Sequence, residues 1–104
     1  MHENIAKAYD PNAFVVMLEG DNLGHLKSIP DNSIDLIVTS PPYNIGKDYE
    51  TVVPLEEYLS IQRAVIAECV RVLRPSGNLC WQVGFSKDGK EILPLDVLLY
   101  PVFK

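Results

Sequence analysis

Four consecutive residues, Ser40-Pro41-Pro42-Tyr43, combine groups that suit the binding of a planar amine. The Ser40 hydroxyl and the Pro41 carbonyl are hydrogen-bond acceptors, the prolines offer no competing backbone N–H, and Tyr43 supplies a flat aromatic face. The segment is also stiff, because a residue before a proline is restricted to extended geometry. Two fixed acceptors can bind both hydrogens of an exocyclic amine and draw its lone pair out of conjugation, which makes the nitrogen a better nucleophile.

The residues before this motif predict a strand that positions it. The stretch 34–39 is β-branched and nearly continuously apolar, a pattern typical of a strand covered on both faces in a parallel sheet. The two prolines end the ladder of hydrogen bonds. Ligands of open parallel sheets bind beyond the carboxyl ends of the strands, so the motif lies where a site is expected.

The remaining patterns predict alternating strands and helices. They are an N-terminal arm at 1–12, a buried strand at 14–18, a short helix at 22–29 that Asp21 or Asn22 can cap, a long helix from Pro54 to Arg74, and a strand at 78–84. This order predicts the α/β class, with part of a doubly wound parallel sheet in a single domain over 1–104. The stretch 92–103 is strongly apolar, which predicts a truncated domain with an exposed surface capable of self-association.

Composition excludes several other classes of protein. No apolar run is long enough to span a membrane and no signal peptide is recognisable, so we expect a cytoplasmic protein without a membrane partner. Cys69 and Cys80 lie in apolar surroundings without metal-ligand spacing, which predicts two buried free thiols and no metal site. Nine basic against fourteen acidic residues give a net charge of −5, which disfavours a stand-alone nucleic-acid binder.

The stretch 35–47 resembles the catalytic segment of DNA methyltransferases that modify cytosine-N4 or adenine-N6. That family's motif is Asp/Asn/Ser-Pro-Pro-aromatic, here Ser40-Pro41-Pro42-Tyr43 followed by Asn44-Ile45-Gly46-Lys47. The context is similar too, with Gly20-Asp21 about twenty residues upstream and Leu73-Arg74-Pro75-Ser76-Gly77 leading into the next strand. The likeness extends from about Phe14 to Phe103.

The resemblance implies a Rossmann-like, S-adenosylmethionine-dependent methyltransferase fold and a role in restriction–modification. It implies that Ser40 and the Pro41 carbonyl orient the target amine while Tyr43 stacks on a base flipped from DNA. The amine then attacks the methyl group of S-adenosylmethionine directly, without a metal and without a covalent enzyme intermediate. Serine at the first position favours cytosine-N4 over adenine-N6.

Further residues have two interpretations each. The resemblance places Asp21 near the donor's adenine end, whereas the local pattern makes it a helix cap. It also assigns Asn44 and Lys47 to DNA contact, although a solvated loop lysine explains Lys47 as well. Trp81 either lines the site or belongs to the core, as most strand tryptophans do.

The family's glycine-rich donor loop, Phe-x-Gly-x-Gly, has no counterpart in this sequence. In the permuted branch that opens with the catalytic motif, this loop and the target-recognition region follow downstream. The chain is therefore expected to be the N-terminal catalytic segment only, completed by a C-terminal half or a partner chain. Two alternatives stay open: an inactive remnant or assembly module, and an amino-methyltransferase acting on RNA or on protein glutamine.

Overall fold

The computed structural model describes residues 5–41, 53–88 and 91–104, in which strands and helices alternate. In chain order the elements are β1 (Ile5–Ala6), β2 (Val15–Val16), α1 (Asn22–Leu26), β3 (Ile34–Thr39), α2 (Leu55–Val72), β4 (Leu73–Trp81), β5 (Phe85–Asp88), β6 (Glu91–Pro94) and α3 (Leu95–Phe103). The strands form three two-stranded sheets: β1–β2 and β3–β4 are parallel, and β5–β6 is antiparallel. The predicted α/β class with parallel strands is thus confirmed, as partial sheets.

The unit that carries the motif is β3–α2–β4. Its two strands pair in parallel, with Thr39 beside Trp81 at their carboxyl ends. Helix α2 connects them, as expected for parallel strands, which need a long crossover between them. The residue after β3 is Ser40, so the motif does begin at the carboxyl end of a parallel pair.

The register of this pair shifts near its start. Ile34 pairs with Leu73, but Leu36 pairs with Asn78, so β4 accommodates extra residues that include a proline. Gly77 lies in this bulge, where the backbones approach closely. An added Cβ would lie 3.0 Å from the carbonyl oxygen of Asp35 and 2.9 Å from the Leu73 side chain, so glycine is needed here.

The long helix agrees with its sequence pattern except at its end. Helix α2 begins after Pro54, with Glu56 and Glu57 in the first turn where the helix dipole favours acidic groups. It was predicted to reach Arg74, but it ends at Val72 and the backbone of Leu73 is already extended. The reason is that Arg74 precedes a proline, which disfavours helical geometry and starts β4 earlier than predicted.

The core lies along one face of α2 and includes two residues of α3. Its fully or nearly buried side chains are Tyr58, Gln62, Val65, Ile66, Cys69, Val72, Leu95 and Leu99. The apolar stretch near the C-terminus, for which no element was predicted, forms β6 and α3. Leu95 and Leu99 pack inward, while Val97 and Tyr100 remain exposed.

Burial of β3 is one-sided, which corrects the expectation of a strand covered on both faces. Ile37 and Thr39 face the cavity described below, whereas Leu36 is 58% and Val38 71% exposed. Cys80 pairs with Val38 in the register and is exposed on β4, so the prediction of two buried thiols is wrong for this residue and confirmed for Cys69.

The N-terminal strand is also shorter and more exposed than predicted. Only Val15–Val16 forms β2, and Phe14 is 86% exposed. The partner of β2 is β1, within the stretch interpreted as an arm, and not β3. A two-residue pair has too little surface to hold its side chains in a core. Of the helices in the described residues, none has the length and apolar character to cross a membrane.

Candidate functional site

A cavity of about 350 Å³ opens between α1, α2 and the carboxyl ends of β3 and β4. This volume is in the range of small-molecule sites. Its walls come from all four elements and from the first residues of the motif. The lining residues are Asp21, Asn22, Leu26, Ile37, Thr39, Pro41, Ile61, Gln62, Val65, Cys69 and Trp81.

The motif serine lies across the end of the parallel pair. The backbone N–H of Gln82 donates to the Thr39 carbonyl at 2.9 Å, which extends the pairing by one residue. The Ser40 hydroxyl donates a long hydrogen bond, 3.5 Å, to the Gln82 carbonyl. In this contact the hydroxyl is the donor, so the lone pairs of the Ser40 oxygen remain available to accept from a bound amine. Pro41, the next residue, lines the cavity.

Asp21 reaches the cavity through a turn that only glycine adopts readily. Gly20 has φ of 122°, in a region that residues with a side chain rarely occupy. Asp21 occupies the N-cap position of α1, but its carboxylate makes no capping hydrogen bond, so the expected capping role is wrong. Its carboxylate is exposed at the cavity wall, an arrangement that suits a ligand.

Arg71 holds α1 against α2. Its guanidinium donates to the carbonyl of Leu26 at 2.8 Å, to Asp31 at 2.5 Å and to Glu68 at 3.1 Å. The hydrogen bonds to Asp31 and then Glu68 raise the pKa of Arg71 above its ordinary value, so it is charged throughout the physiological range. The carbonyl bond satisfies the last turn of α1, and the position of this helix fixes Asp21 and Asn22 at the cavity wall.

Two residues that line the cavity each have a buried polar atom without a hydrogen-bond partner among the described residues. These atoms are Oε1 of Gln62, whose side chain is only 5% exposed, and Nε1 of Trp81. An unsatisfied buried polar group costs about 1 to 3 kcal/mol. Sequence reasoning missed Gln62, although a signal was present: it is a polar residue in the apolar stripe of α2, four positions after Tyr58.

Trp81 therefore lines the site, and it also packs on α3. Its ring meets Phe103 edge to face, with centroids 5.5 Å apart and planes at 69°. Cys69 completes the wall from α2, and burial, followed by the neighbouring charge of Glu68, raises the pKa of its thiol. Both interpretations of Trp81 are thus partly right.

Of the predicted site residues, the structure brings Asp21 and Pro41 to one cavity and places Ser40 beside it. The calls on Pro42, Tyr43, Asn44 and Lys47 lie outside the described residues. In the part of the chain that is described, no three His, Cys, Asp or Glu side chains are grouped as a metal site requires.

Comparison with known proteins places this chain in a family. Residues 34–101 match the model of the DNA methylase family N6_N4_Mtase. The type II methyltransferase M.BglII of Bacillus subtilis is 51% identical over 86 residues, which cover 82% of this chain and 24% of that protein. M.ScaI of Streptomyces caespitosus is 38% identical over 99 residues, or 92% of this chain and 32% of that protein.

A solved structure has the same fold. The PvuII DNA methyltransferase, described as cytosine-N4-specific, superposes with a TM-score of 0.64 at 21% identity, over 96% of this chain and 36% of that one. The chain thus spans about a quarter to a third of the length of the two curated relatives. On the family match and these identities, the chain belongs to the N6/N4 DNA methylase family, which is a family of enzymes.

Proposed function

We propose that this chain is the catalytic segment of an S-adenosylmethionine-dependent DNA amino-methyltransferase of a type II restriction–modification system. Ser40 and the Pro41 carbonyl orient the exocyclic amine of a flipped base, and Tyr43 stacks on that base. The observation that carries the proposal is the position of the motif, which leaves the end of a parallel strand pair and enters the wall of a cavity.

The contacts of Ser40 support an acceptor role. The hydroxyl is the donor in its 3.5 Å contact with the Gln82 carbonyl, which leaves the oxygen lone pairs for an incoming amine. An amine held by acceptors has its lone pair directed away from them, toward the methyl group it attacks. The protein then contributes chiefly the alignment of two bound reactants. In well-oriented reactions such alignment lowers the activation barrier by about 7 to 11 kcal/mol.

The cavity residues fit part of S-adenosylmethionine. Leu26, Ile37 and Val65 give it apolar walls, and Asp21 gives it an acidic group. S-adenosylmethionine supplies an electrophilic methyl group on its sulfonium sulfur. Pro41 belongs both to the cavity wall and to the motif, so a donor held here is adjacent to the loop that holds the amine.

Cytosine-N4 is the proposed target in preference to adenine-N6. The support is serine at the first motif position, through the family resemblance. DNA is the proposed substrate, yet the net charge of −5 supplies little phosphate affinity. Much of the DNA-binding surface, and the glycine-rich donor loop, are proposed to belong to a further part of a longer protein or to a partner chain, with Asn44 and Lys47 contributing locally.

A chimaera tests this function. In M.BglII, the stretch aligned with this chain is replaced by the residues of this chain, and the nucleosides of DNA from cells that express it are measured by mass spectrometry. We expect a methylated cytosine or adenine well above the background of cells without the chimaera. M.BglII itself, measured in parallel, shows which methylated nucleoside the unchanged protein yields. A chimaera that produces 6-methyladenine when M.BglII does not would contradict the cytosine preference.

Matched variants of the chimaera test the residue roles. Ser40→Ala removes the acceptor and Tyr43→Ala removes the stacking face, worth about 1 to 3 kcal/mol per base. Tyr43→Phe keeps that face and Val97→Ala changes an exposed residue of α3, so both should remain active. Full activity of Ser40→Ala, or equal loss in Tyr43→Phe and Tyr43→Ala, would contradict the assigned roles.

A second candidate function is assembly, favoured by the exposed apolar side chains of β3 and α3. Leu36 and Val38 are exposed on one face of β3, and Val97 and Tyr100 on α3. Such surfaces mediate association when they are contiguous. Light scattering distinguishes this candidate, since a monodisperse species of 11.6 kDa at high concentration argues against self-association.

A further inference from the structure

His25 of α1 binds the backbone on both sides of the turn that leads to Asp21. Its Nε2 lies 2.7 Å from the carbonyl oxygen of Glu19. A carbonyl oxygen only accepts hydrogen bonds, so Nε2 is the ring nitrogen that carries a proton and donates. The backbone N–H of the same residue donates to the Asp21 carbonyl at 3.3 Å. One residue thus holds the two carbonyls that lie immediately before and after Gly20.

The turn is shaped to admit the imidazole. A Cβ on Gly20 would lie only 3.1 Å from Nε2 of His25, so a larger residue would press on the ring. Gly20 also has φ of 122°, which residues with a side chain rarely adopt. The glycine therefore meets two requirements at once, the path of the backbone and the space for the His25 ring.

Helix α1 gives Asp21 little support of its own. It has five residues with a glycine in its interior, and helices this short are unstable without outside contacts. The Asp21 carboxylate makes no capping hydrogen bond, so it does not tie its own residue to the helix. Arg71 binds the last turn of α1, at the far end from Asp21. The bond from His25 to the Glu19 carbonyl fixes the near end.

We propose that His25 is a positioning residue for donor binding, which acts by holding Asp21 at the cavity wall. The inference rests on the proposed function, in which Asp21 contributes an acidic group to the donor site. The imidazole fixes the backbone of the turn, so the carboxylate stays uncommitted to the helix and available to a ligand. His25 is not among the residues that line the cavity, and its effect on a ligand is therefore indirect.

The hold on the turn is tested in the full 104-residue chain, without donor or DNA. His25→Gln keeps a side-chain N–H donor, whereas His25→Leu keeps the bulk and removes the donor. NMR order parameters of the Gly20 and Asp21 amides should be about 0.85 in the wild type and in His25→Gln, and below about 0.6 in His25→Leu. Amides of α2 should be equally ordered in all three proteins, which shows that each is folded. A turn that is equally ordered in His25→Leu and the wild type would overturn the proposal.

A double-mutant cycle tests whether His25 acts through Asp21. The affinity of the M.BglII chimaera for S-adenosylhomocysteine is measured by calorimetry. We expect His25→Leu to weaken binding by roughly threefold to tenfold and His25→Gln by less than about twofold. In an Asp21→Ala background, His25→Leu should have almost no further effect, because the carboxylate that it positions is gone.

The matched control for this cycle is Gly24→Ala. It changes a neighbouring residue of α1 whose added Cβ has nothing within 4 Å, so it should bind S-adenosylhomocysteine like the wild type. Equal weakening by His25→Leu with and without the Asp21 carboxylate would show a general structural role and overturn the proposal. Full affinity of His25→Leu would overturn it as well.

The result is separable from that of the methylation test. A chimaera that methylates DNA, combined with a His25→Leu variant that keeps full donor affinity, would refute only the role of His25. A turn that depends on His25, with a loss of donor affinity that depends on Asp21, would stand even if the chimaera did not methylate DNA, and only the proposed function would be refuted.

Discussion

Replacing Gln62 by methionine should stabilise the ligand-free protein. The side chain is 5% exposed, and its Oε1 has no partner among the described residues, which costs about 1 to 3 kcal/mol. Methionine has a similar length and flexibility, so the change removes this penalty, while imperfect packing of the new side chain costs less than about 1.5 kcal/mol. The expected net gain is roughly 1 to 2 kcal/mol, and a domain of this size gains about 4 to 8 °C in Tm per kcal/mol.

Urea unfolding, followed by circular dichroism at neutral pH, measures this gain. Gln82→Met is the matched control, because it makes the same chemical change at an exposed position of the chain and should stay within about 0.5 kcal/mol of the wild type. The slope m should be unchanged in both variants. Gln62→Met that is less stable than the wild type, or no different from Gln82→Met, would refute the view that the amide is unsatisfied.

Other substitutions probe the fold around the site. Gly77→Ala should lower the free energy of unfolding in urea by about 1 to 3 kcal/mol, because its Cβ meets backbone oxygens at 3.0 Å. Gly24→Ala, in a helix and with nothing within 4 Å, should raise it by up to about 1 kcal/mol. Equal effects of the two changes would contradict the close approach at the bulge. Leu99→Ala should cost about 2 to 5 kcal/mol, because the side chain is 1% exposed, and a loss below 1 kcal/mol would mean that α3 does not pack as described. A thiol reagent should modify Cys80 in the native protein and Cys69 only on unfolding. Burial raises the pKa of the Cys69 thiol above its value in the unfolded chain, so the folded state binds the thiol proton more tightly. The protein should therefore lose stability as the pH rises above about 9. Cys69→Ala should reduce this loss.

The parts of the fold predicted correctly are those with a long pattern. Helix α2 repeats its apolar positions over five turns, and its start at Pro54 is fixed by local chemistry. The motif after β3 was located because two prolines must end a strand. Helix α2 ends two residues earlier than predicted, because Pro75 disfavours helical geometry at Arg74.

The parts that were missed depend on tertiary contacts. The pairing of β2 with β1 involves two residues in each strand, too few to leave a pattern in the sequence. Gln62 interrupts an apolar stripe, and only the cavity shows that its side chain is buried without a partner. The exposed side chain of Cys80 follows from the register of β4 against β3, which composition does not reveal.

The exposed face of β3 connects the sequence pattern with the proposed function. Residues 34–39 have the apolar content of a strand buried on both sides, yet only the face toward α2 is covered in the described residues. A hydrophobic pattern reflects the environment in which the sequence functions, and relatives of this chain are three to four times longer. If the remainder of such a protein covers Leu36 and Val38, the same association would bring the donor loop to the cavity and DNA-binding charge to an acidic segment.

Leu36→Lys should then abolish methylation by the M.BglII chimaera while leaving the isolated chain folded, because the charge is tolerated on an exposed face and is not tolerated in an interface. Full activity of that variant would show that this face is not covered in the working enzyme.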